Sequence, residues 1–415
     1  MNSQPKVSVI MPSLNVAPYI RECIESVVNQ TLREIEIICV DAGSTDGTLD
    51  VLEEYAAQDD RIRLLHSDKK SYGYQMNMGI DAATGEYMGI VETNDYIKLD
   101  MYEVLYSIAK PHQVDFVKSD LCKFWEEEKR IFERMPLTED KSLYNKVLNP
   151  SKSPSLLQLT MNNVSGIYST KFLRTNNVRL NETPGASFQD NGLWFQIFAL
   201  AQSAIFIDRV FYCIRRDNPN STVNNPNEAY IICNEYDYIY EFLKKDQTRL
   251  SLFMPYYVVK KYDNYLFVYN KISDEYKLEF LQRFRNEFIE YQKNGLISKE
   301  AFSKNKLSSV ESIIANPERY FYLHNGKKNY EIGLDDIDDI DDIDELRRQL
   351  SIAVCKYRQA ENENRLTKQS ASFRIGYAIT FIPRTIRTLC NSIHNYGVRR
   401  TLNKIRNYLL KGKLS

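Results

Sequence analysis

The chain has 415 residues, 43% of them hydrophobic and 26% charged, so it is long enough for more than one core, and neither a disordered nor a collagen-like chain fits. With 54 Lys and Arg against 55 Asp and Glu, its formal net charge of -1 excludes the general basic footprint of a nucleic-acid binder and leaves any basic surface local. Seven cysteines without a C-x-x-C pair and four scattered histidines argue against a disulfide framework, a thiolate zinc site or a Ser-His-Asp arrangement, and make a carboxylate the leading candidate base. The polar residues 1–6 run directly into an apolar segment, and no apolar run approaches the roughly 18 residues of a spanning helix. A cytoplasmic protein is expected, with association at a membrane surface left open.

In chain order, residues 7–11 (VSVIM) predict a strand, and residues 19–29, with Ile20, Cys23, Ile24, Val27 and Val28 at helical spacing, predict a helix. Residues 35–40 (IEIICV) read as a second strand that ends in the turn-rich Asp41, Ala42, Gly43, Ser44, Thr45, Asp46 and Gly47 before a helix over 49–58. A strand at 61–66, a helix at 75–83 and a strand at 87–91 repeat the unit. Repeated β-α units predict an α/β fold with a mostly parallel sheet and ligands at the carboxyl ends of its strands. The polar turns after Met11, Val40 and Val91 then face one crevice.

Beyond residue 226 the sequence becomes helical and rich in Tyr and Phe, with long segments at 229–244 and 254–270, which predicts a helical domain that packs its aromatics as core. Residues 335–345 (DDIDDIDDIDE) form an acidic, low-complexity linker. Leu346, Leu350, Ala353, Tyr357 and Ala360 follow at steps of four and three, a seam of barely two heptads through which the chain could self-associate. The last 45 residues, 371–415, carry nine Lys or Arg interleaved with Ile and Leu, and no Asp or Glu. Such a basic amphipathic tail suits an anionic membrane surface, and equally a helix packed on the protein with its charges solvated. The expected organisation is therefore 1–225, 226–330, 331–370 and 371–415.

Glu92, Thr93, Asn94 and Asp95 follow the 87–91 strand, and oxygen ligands from such a turn suit hard ions such as Mg or Mn, which stabilise the charge on a leaving diphosphate. Taken with VSVIMPSLN, ESVVNQT, EIICVDAGSTDGT and NMGIDAATGEY, in this order and spacing, the VETNDYI turn makes residues 6–222 resemble family 2 glycosyltransferases of the GT-A fold. The likeness is to bacterial enzymes of capsule, exopolysaccharide or surface-glycoprotein synthesis. It implies a GT-A (Rossmann-like) domain and an inverting transfer of a sugar from a nucleotide sugar, usually UDP-linked, with Mn or Mg. The acceptor would be a glycan, a lipid-linked glycan or a glycoprotein, and no nucleic acid is implied.

Carried over by residue, the resemblance places Pro12, Ser13 and Asn15 where the first strand meets the nucleotide, and Asp41 at the start of the turn that holds base and ribose. It puts Asn77 on the diphosphate-side helix, with Met76 where an Arg is common. Asp95 becomes the metal ligand, with Glu92 and Asn94 beside it. The common Asp-Asp-Gly-Ser reads Asp41, Ala42, Gly43, Ser44, and the common Asp-Ser-Asp-Asp reads Glu92, Thr93, Asn94, Asp95. Asp190, in ETPGASFQDNGLWF, matches the catalytic base; read from the residues alone it is more readily an N-terminal helix cap. Arg215 and Arg216, in the loop CIRRDNPNSTV, could pair with phosphate oxygens or with surface carboxylates. Lys118, Ser119 and Asp120 are further candidates for a sugar or acceptor pocket. The competing readings are a nucleotide-sugar-binding protein that has lost catalysis, suggested by Ala42, Asn94 and Met76, and a dehydrogenase or nucleotidyltransferase, disfavoured because no Gly-rich loop follows the first strand.

Overall fold

A computed structural model of the chain describes residues 4–126, 130–218, 230–299 and 301–325. The described residues belong to one compact unit; the acidic linker, the heptad seam and the basic tail all lie outside the described residues.

The elements run β1 (Val7–Ser13), α1 (Ala17–Val28), β2 (Ile35–Asp41), α2 (Thr48–Ala56), β3 (Ile62–His66), α3 (Tyr72–Ala82), β4 (Tyr87–Ile90), β5 (Tyr96–Ile97) and α4 (Met101–His112). They continue through β6 (Phe116–Trp125), β7 (Ile131–Met135), β8 (Val147–Leu148), β9 (Gly166–Ser169), α5 (Thr170–Thr175), α6 (Gln189–Leu200) and β10 (Ala204–Arg215). Both β1 and β2 are buried along their whole length, as expected of central parallel strands covered on both faces. In α1, Ile20, Cys23, Ile24 and Val27 are the buried stripe, the period read from the sequence.

The sheet order is β3-β2-β1-β4-β9-β6-β10-β5, with β7 beside β6 and β8 beside β10. Four adjacent strands, β3, β2, β1 and β4, are parallel, so the ends of β1, β2 and β4 open on one edge. The other half is mixed: β9 runs antiparallel to both β4 and β6, while β6 and β10 are parallel. The expectation of a mostly parallel sheet therefore holds for the first half, and the α/β class for the whole. Helix α3 lies so close to β1 that a Cβ on Gly79 would stand 2.5 Å from the Ile10 side chain, which explains a glycine in mid-helix despite its cost there.

After β10 come α7 (Ile231–Lys244), α8 (Gln247–Lys271), α9 (Asp274–Lys293), α10 (Lys304–Ala315) and α11 (Pro317–Asn325). The aromatic richness of this region is core, as predicted: Tyr236, Tyr257, Tyr265, Phe280, Phe284 and Phe288 are all buried, and Tyr265 meets Phe284 edge-on with centroids 5.3 Å apart. Helix α7 packs on α6, so the helical region bears directly on the segment that holds Asp190. Helix α6 is buried on nearly every side, its polar Gln189, Asn191 and Gln196 included.

Candidate active site

At the carboxyl ends of β1 and β2, Ser13 and Asp41 are paired in register and buried. Asp41 braces its own loop: Oδ2 accepts from the Gly43 and Ser44 amides at 2.8 and 2.9 Å, and Oδ1 from the Ser44 hydroxyl at 2.5 Å. This is the Asx-type turn that a carboxylate makes with the backbone two and three residues on. Exposed Asn15, at φ 53, accepts from the Thr45 amide through Oδ1 at 2.9 Å. Pro12, Ser13, Asn15 and Asp41 thus lie together as one wall at the ends of β1 and β2. Gln75, which the motifs did not single out, ties it together from α3: its Nε2 donates to the Ser13 and Val40 carbonyls at 2.9 and 2.7 Å.

Beside that wall stands the turn after β4. Asp95 is buried, with Oδ1 accepting from the Arg215 amide at 2.8 Å and Oδ2 from the Tyr212 hydroxyl at 3.0 Å. Tyr212 in turn accepts from the Glu92 amide at 2.9 Å, and Tyr72 of α3 donates to Glu92 Oε1 at 2.7 Å. Burial is the main reason that the carboxyls of Glu92 and Asp95 are pushed up, to about 7 and about 8. The charge of Asp190 adds to the rise at Glu92, and that of Glu92 to the rise at Asp95. Tyr72 and Tyr212 lay outside the motifs; nothing in the local sequence marks a tyrosine 120 residues away as the partner of Glu92.

Asp190 sits in the first turn of α6, half-buried. Its Oδ1 accepts from Asn191 Nδ2 at 3.2 Å and its carbonyl from Asn163 Nδ2 at 2.7 Å. Desolvation, which outweighs these hydrogen bonds, raises its carboxyl above the ordinary range. Two buried acceptors, Asn163 Oδ1 and Gln189 Oε1, have no hydrogen-bond partner among the described residues.

Three further expectations meet a different environment. Arg215 is buried among protein partners: it pairs with Glu22 at 2.7 Å, donates through Nε to the Asn94 carbonyl at 3.1 Å and lies over the rings of Tyr19 and Phe124. Arg216 is exposed at the strand end, and its charge favours the ionised form of Asp95; residues 219–223 of that loop lie outside the described residues. Asn77 spends its side chain on the segment before α6, exchanging bonds with Leu180 and donating to Glu182. Lys118, Ser119 and Asp120 are wholly interior: Lys118 donates to the Tyr168 hydroxyl at 3.0 Å, and Asp120 binds Arg134 and Tyr144. A cavity of about 720 Å³ lies beside β7, bordered by Lys123, Arg134 and Thr160, and none of the predicted site residues lines it.

The donor set suits a divalent ion that completes its shell elsewhere. Among the described residues no group of three or more His, Cys, Asp or Glu gathers at one point. Glu92 and Asp95 nevertheless offer hard oxygens, and the named hydrogen bonds use at most one lone pair on each. One or two carboxylates plus substrate phosphates is the usual share for Mg.

The sequence profile described as Glycosyl transferase family 2 matches residues 8–165. Glycosyltransferase GlyG of Streptococcus pneumoniae serotype 4 (strain ATCC BAA-334 / TIGR4) is 30% identical over 214 residues, 51% of this chain and 70% of that protein. The uncharacterized glycosyltransferase EpsJ of Bacillus subtilis (strain 168) is 41% identical over 123 residues, 30% of this chain; the match spans only 35% of EpsJ. Among solved structures, S. aureus TarS 1-349 in complex with UDP-GlcNAc is similar at a TM-score of 0.47 and 16% identity, over 76% of this chain and 92% of that one. The ordered motifs along β1 to β4, the family profile across them and the length shared with GlyG establish that the chain belongs to glycosyl transferase family 2.

Proposed function

We propose that this protein is an inverting, metal-dependent hexosyltransferase. It moves a sugar from a UDP-linked donor to a hydroxyl of a glycan, glycolipid or glycoprotein acceptor in bacterial surface polysaccharide or glycoprotein synthesis. The observation that carries this reading is the grouping of Ser13, Asp41, Glu92 and Asp95 at the carboxyl ends of the parallel strands β1, β2 and β4, where the charge of Asp190 also acts on Glu92. The names of GlyG and EpsJ as glycosyltransferases support the transfer itself.

In this reading Glu92 and Asp95 would hold a Mn or Mg ion, which when bound neutralises the charge developing on the departing diphosphate. Asp190 takes the proton of the acceptor hydroxyl as that oxygen attacks the anomeric carbon from the face opposite the diphosphate. A carboxyl raised above its ordinary range is a stronger base than a solvated aspartate, and Asn191 orients the accepting oxygen. The basic stretch 371–415 places the enzyme at the cytoplasmic face of an anionic membrane, where a lipid-linked acceptor would lie.

Release of nucleotide from a panel of UDP-, GDP- and dTDP-sugars, with and without Mn, tests the function. Turnover of a UDP-sugar that requires Mn is expected. Asp190→Asn should lower that turnover about 100-fold or more and leave donor affinity in place; near-wild-type turnover would remove Asp190 from the role of base.

A further inference from the structure

Helix α6 begins without a cap of its own. The residue before it, Phe188, makes no side-chain capping bond and sits at φ 69, a left-handed conformation that a bulky residue adopts only when its surroundings impose it. The surroundings come from the helical region. The Phe188 ring lies edge-on to Phe267 of α8, with centroids 6.5 Å apart. Asn264 of α8 donates to Asn191 Oδ1 at 3.1 Å and to the Tyr236 hydroxyl at 2.8 Å.

The missing cap arrives from α7. Glu235 is only 1% exposed, yet it is a carboxylate with no cationic partner among the described residues. Its Oε1 accepts from the Gly192 amide at 2.8 Å and its Oε2 from Asn181 Nδ2 at 3.1 Å. The fit leaves no slack, since a Cβ on Gly192 would stand 2.4 Å from Oε1. Gly192 is two residues from Asp190. An isolated buried carboxylate is expensive unless something requires it, and capping alone could be done by a neutral side chain.

We propose that Glu235 is a positioning residue for proton transfer, which caps the first turn of α6 from a different helix and so sets where the Asp190 carboxyl stands. The inference rests on Asp190 as the base. Burial, with the charge of Asp190 as a smaller cause, pushes Glu235 up to about 7. The other groups that face Asp190 are Glu92 from the turn after β4, Tyr72 from α3 and Tyr236 from α7, with Asn191 on its own helix.

Two substitutions separate position from charge. Glu235→Gln keeps an oxygen for the Gly192 amide and removes the charge; Glu235→Ala removes both. With UDP-glucose and UDP-N-acetylglucosamine as probe donors and Mn present, Glu235→Ala should lose about 10- to 100-fold in kcat, the scale expected for a misplaced catalytic group, with the donor KM within about twofold. Glu235→Gln should restore kcat to within about threefold, because it keeps an acceptor for the Gly192 amide. Where neither sugar is turned over, amide hydrogen exchange in the first turn of α6 should be at least about tenfold faster in Glu235→Ala than in wild type, with Glu235→Gln close to wild type. A Glu235→Gln that stays as slow as Glu235→Ala, a Glu235→Ala defect confined to KM, or unchanged exchange in the first turn of α6 would overturn the proposal. Asp190→Asn is measured alongside: if it retains turnover, the base assignment fails, whereas an inactive Asp190→Asn beside a Glu235→Ala of wild-type kcat removes Glu235 alone.

Discussion

Truncating Asp95 should reveal how much of this carboxylate is structural. Asp95→Ala would leave two buried donors, the Arg215 amide and the Tyr212 hydroxyl, without the acceptors they now have at 2.8 and 3.0 Å. Each orphaned donor costs about 1–3 kcal/mol, so a loss of about 2–6 kcal/mol is expected at neutral pH without metal. Asp95→Asn keeps an acceptor for the Arg215 amide and should lose only about 1 kcal/mol. The sign with pH follows from the direction of the shift. Asp95 is raised from 3.8 to about 8, so the stability it carries is fully present below its unfolded value and drains away as pH rises through about 8. Urea unfolding in EDTA at pH 6 and pH 9 should therefore show wild type weakening towards pH 9, with Asp95→Asn gaining on it. Calorimetry of UDP binding supplies the second reading: Asp95→Asn and Asp95→Ala should both lose the part of donor affinity that depends on Mn, and Glu92→Gln should lose less of it. Asp95→Ala unfolding within about 0.5 kcal/mol of wild type, the range of an ordinary surface change, would refute the strap from the turn after β4 to β10. Equal UDP affinity with and without Mn in wild type and Asp95→Ala would refute the ligand role.

Glu235, raised to about 7 chiefly by burial, contributes stability that is present below its unfolded value and lost as pH rises through about 7. Glu235→Gln should accordingly give a flatter melting-temperature profile between about pH 5 and 8. Gly73→Ala would put a Cβ 1.9 Å from the Asn181 carbonyl oxygen; the overpacking should cost about 1–3 kcal/mol in urea unfolding and also slow turnover, since Asn181 holds Glu235. Deleting 371–415 should release the protein from anionic liposomes while sparing donor hydrolysis, and the binding it removes should weaken with salt over a Debye length of about 8 Å. Undiminished cosedimentation of the truncated chain would exclude the tail as the membrane contact.

Much of this protein is legible in its residues. The β-branched runs, the helical stripe of Ile20, Cys23, Ile24 and Val27 and the turns at Asp41 and Glu92 predict the parallel strands and place their polar ends on one edge, because strand and helix periods are local properties of the chain. Ordered motifs along the same strands carry the family. What the sequence could not supply is pairing across distance. The antiparallel β9 enters the sheet between β4 and β6 although it follows β6 in the chain. Arg215, a phosphate ligand by the family resemblance, is instead buried against Glu22 and the Asn94 carbonyl. Lys118 and Asp120, polar enough to suggest a pocket, are interior because each finds a partner there. Glu235 looks like one more charge on an amphipathic helix, and only the packing of α7 on α6 turns it towards Gly192. A local pattern determines which face of an element is buried; which residue meets it there is set by the path of the whole chain, and in this site that decides which carboxylates are braced, which are coupled and which one stands at the start of α6.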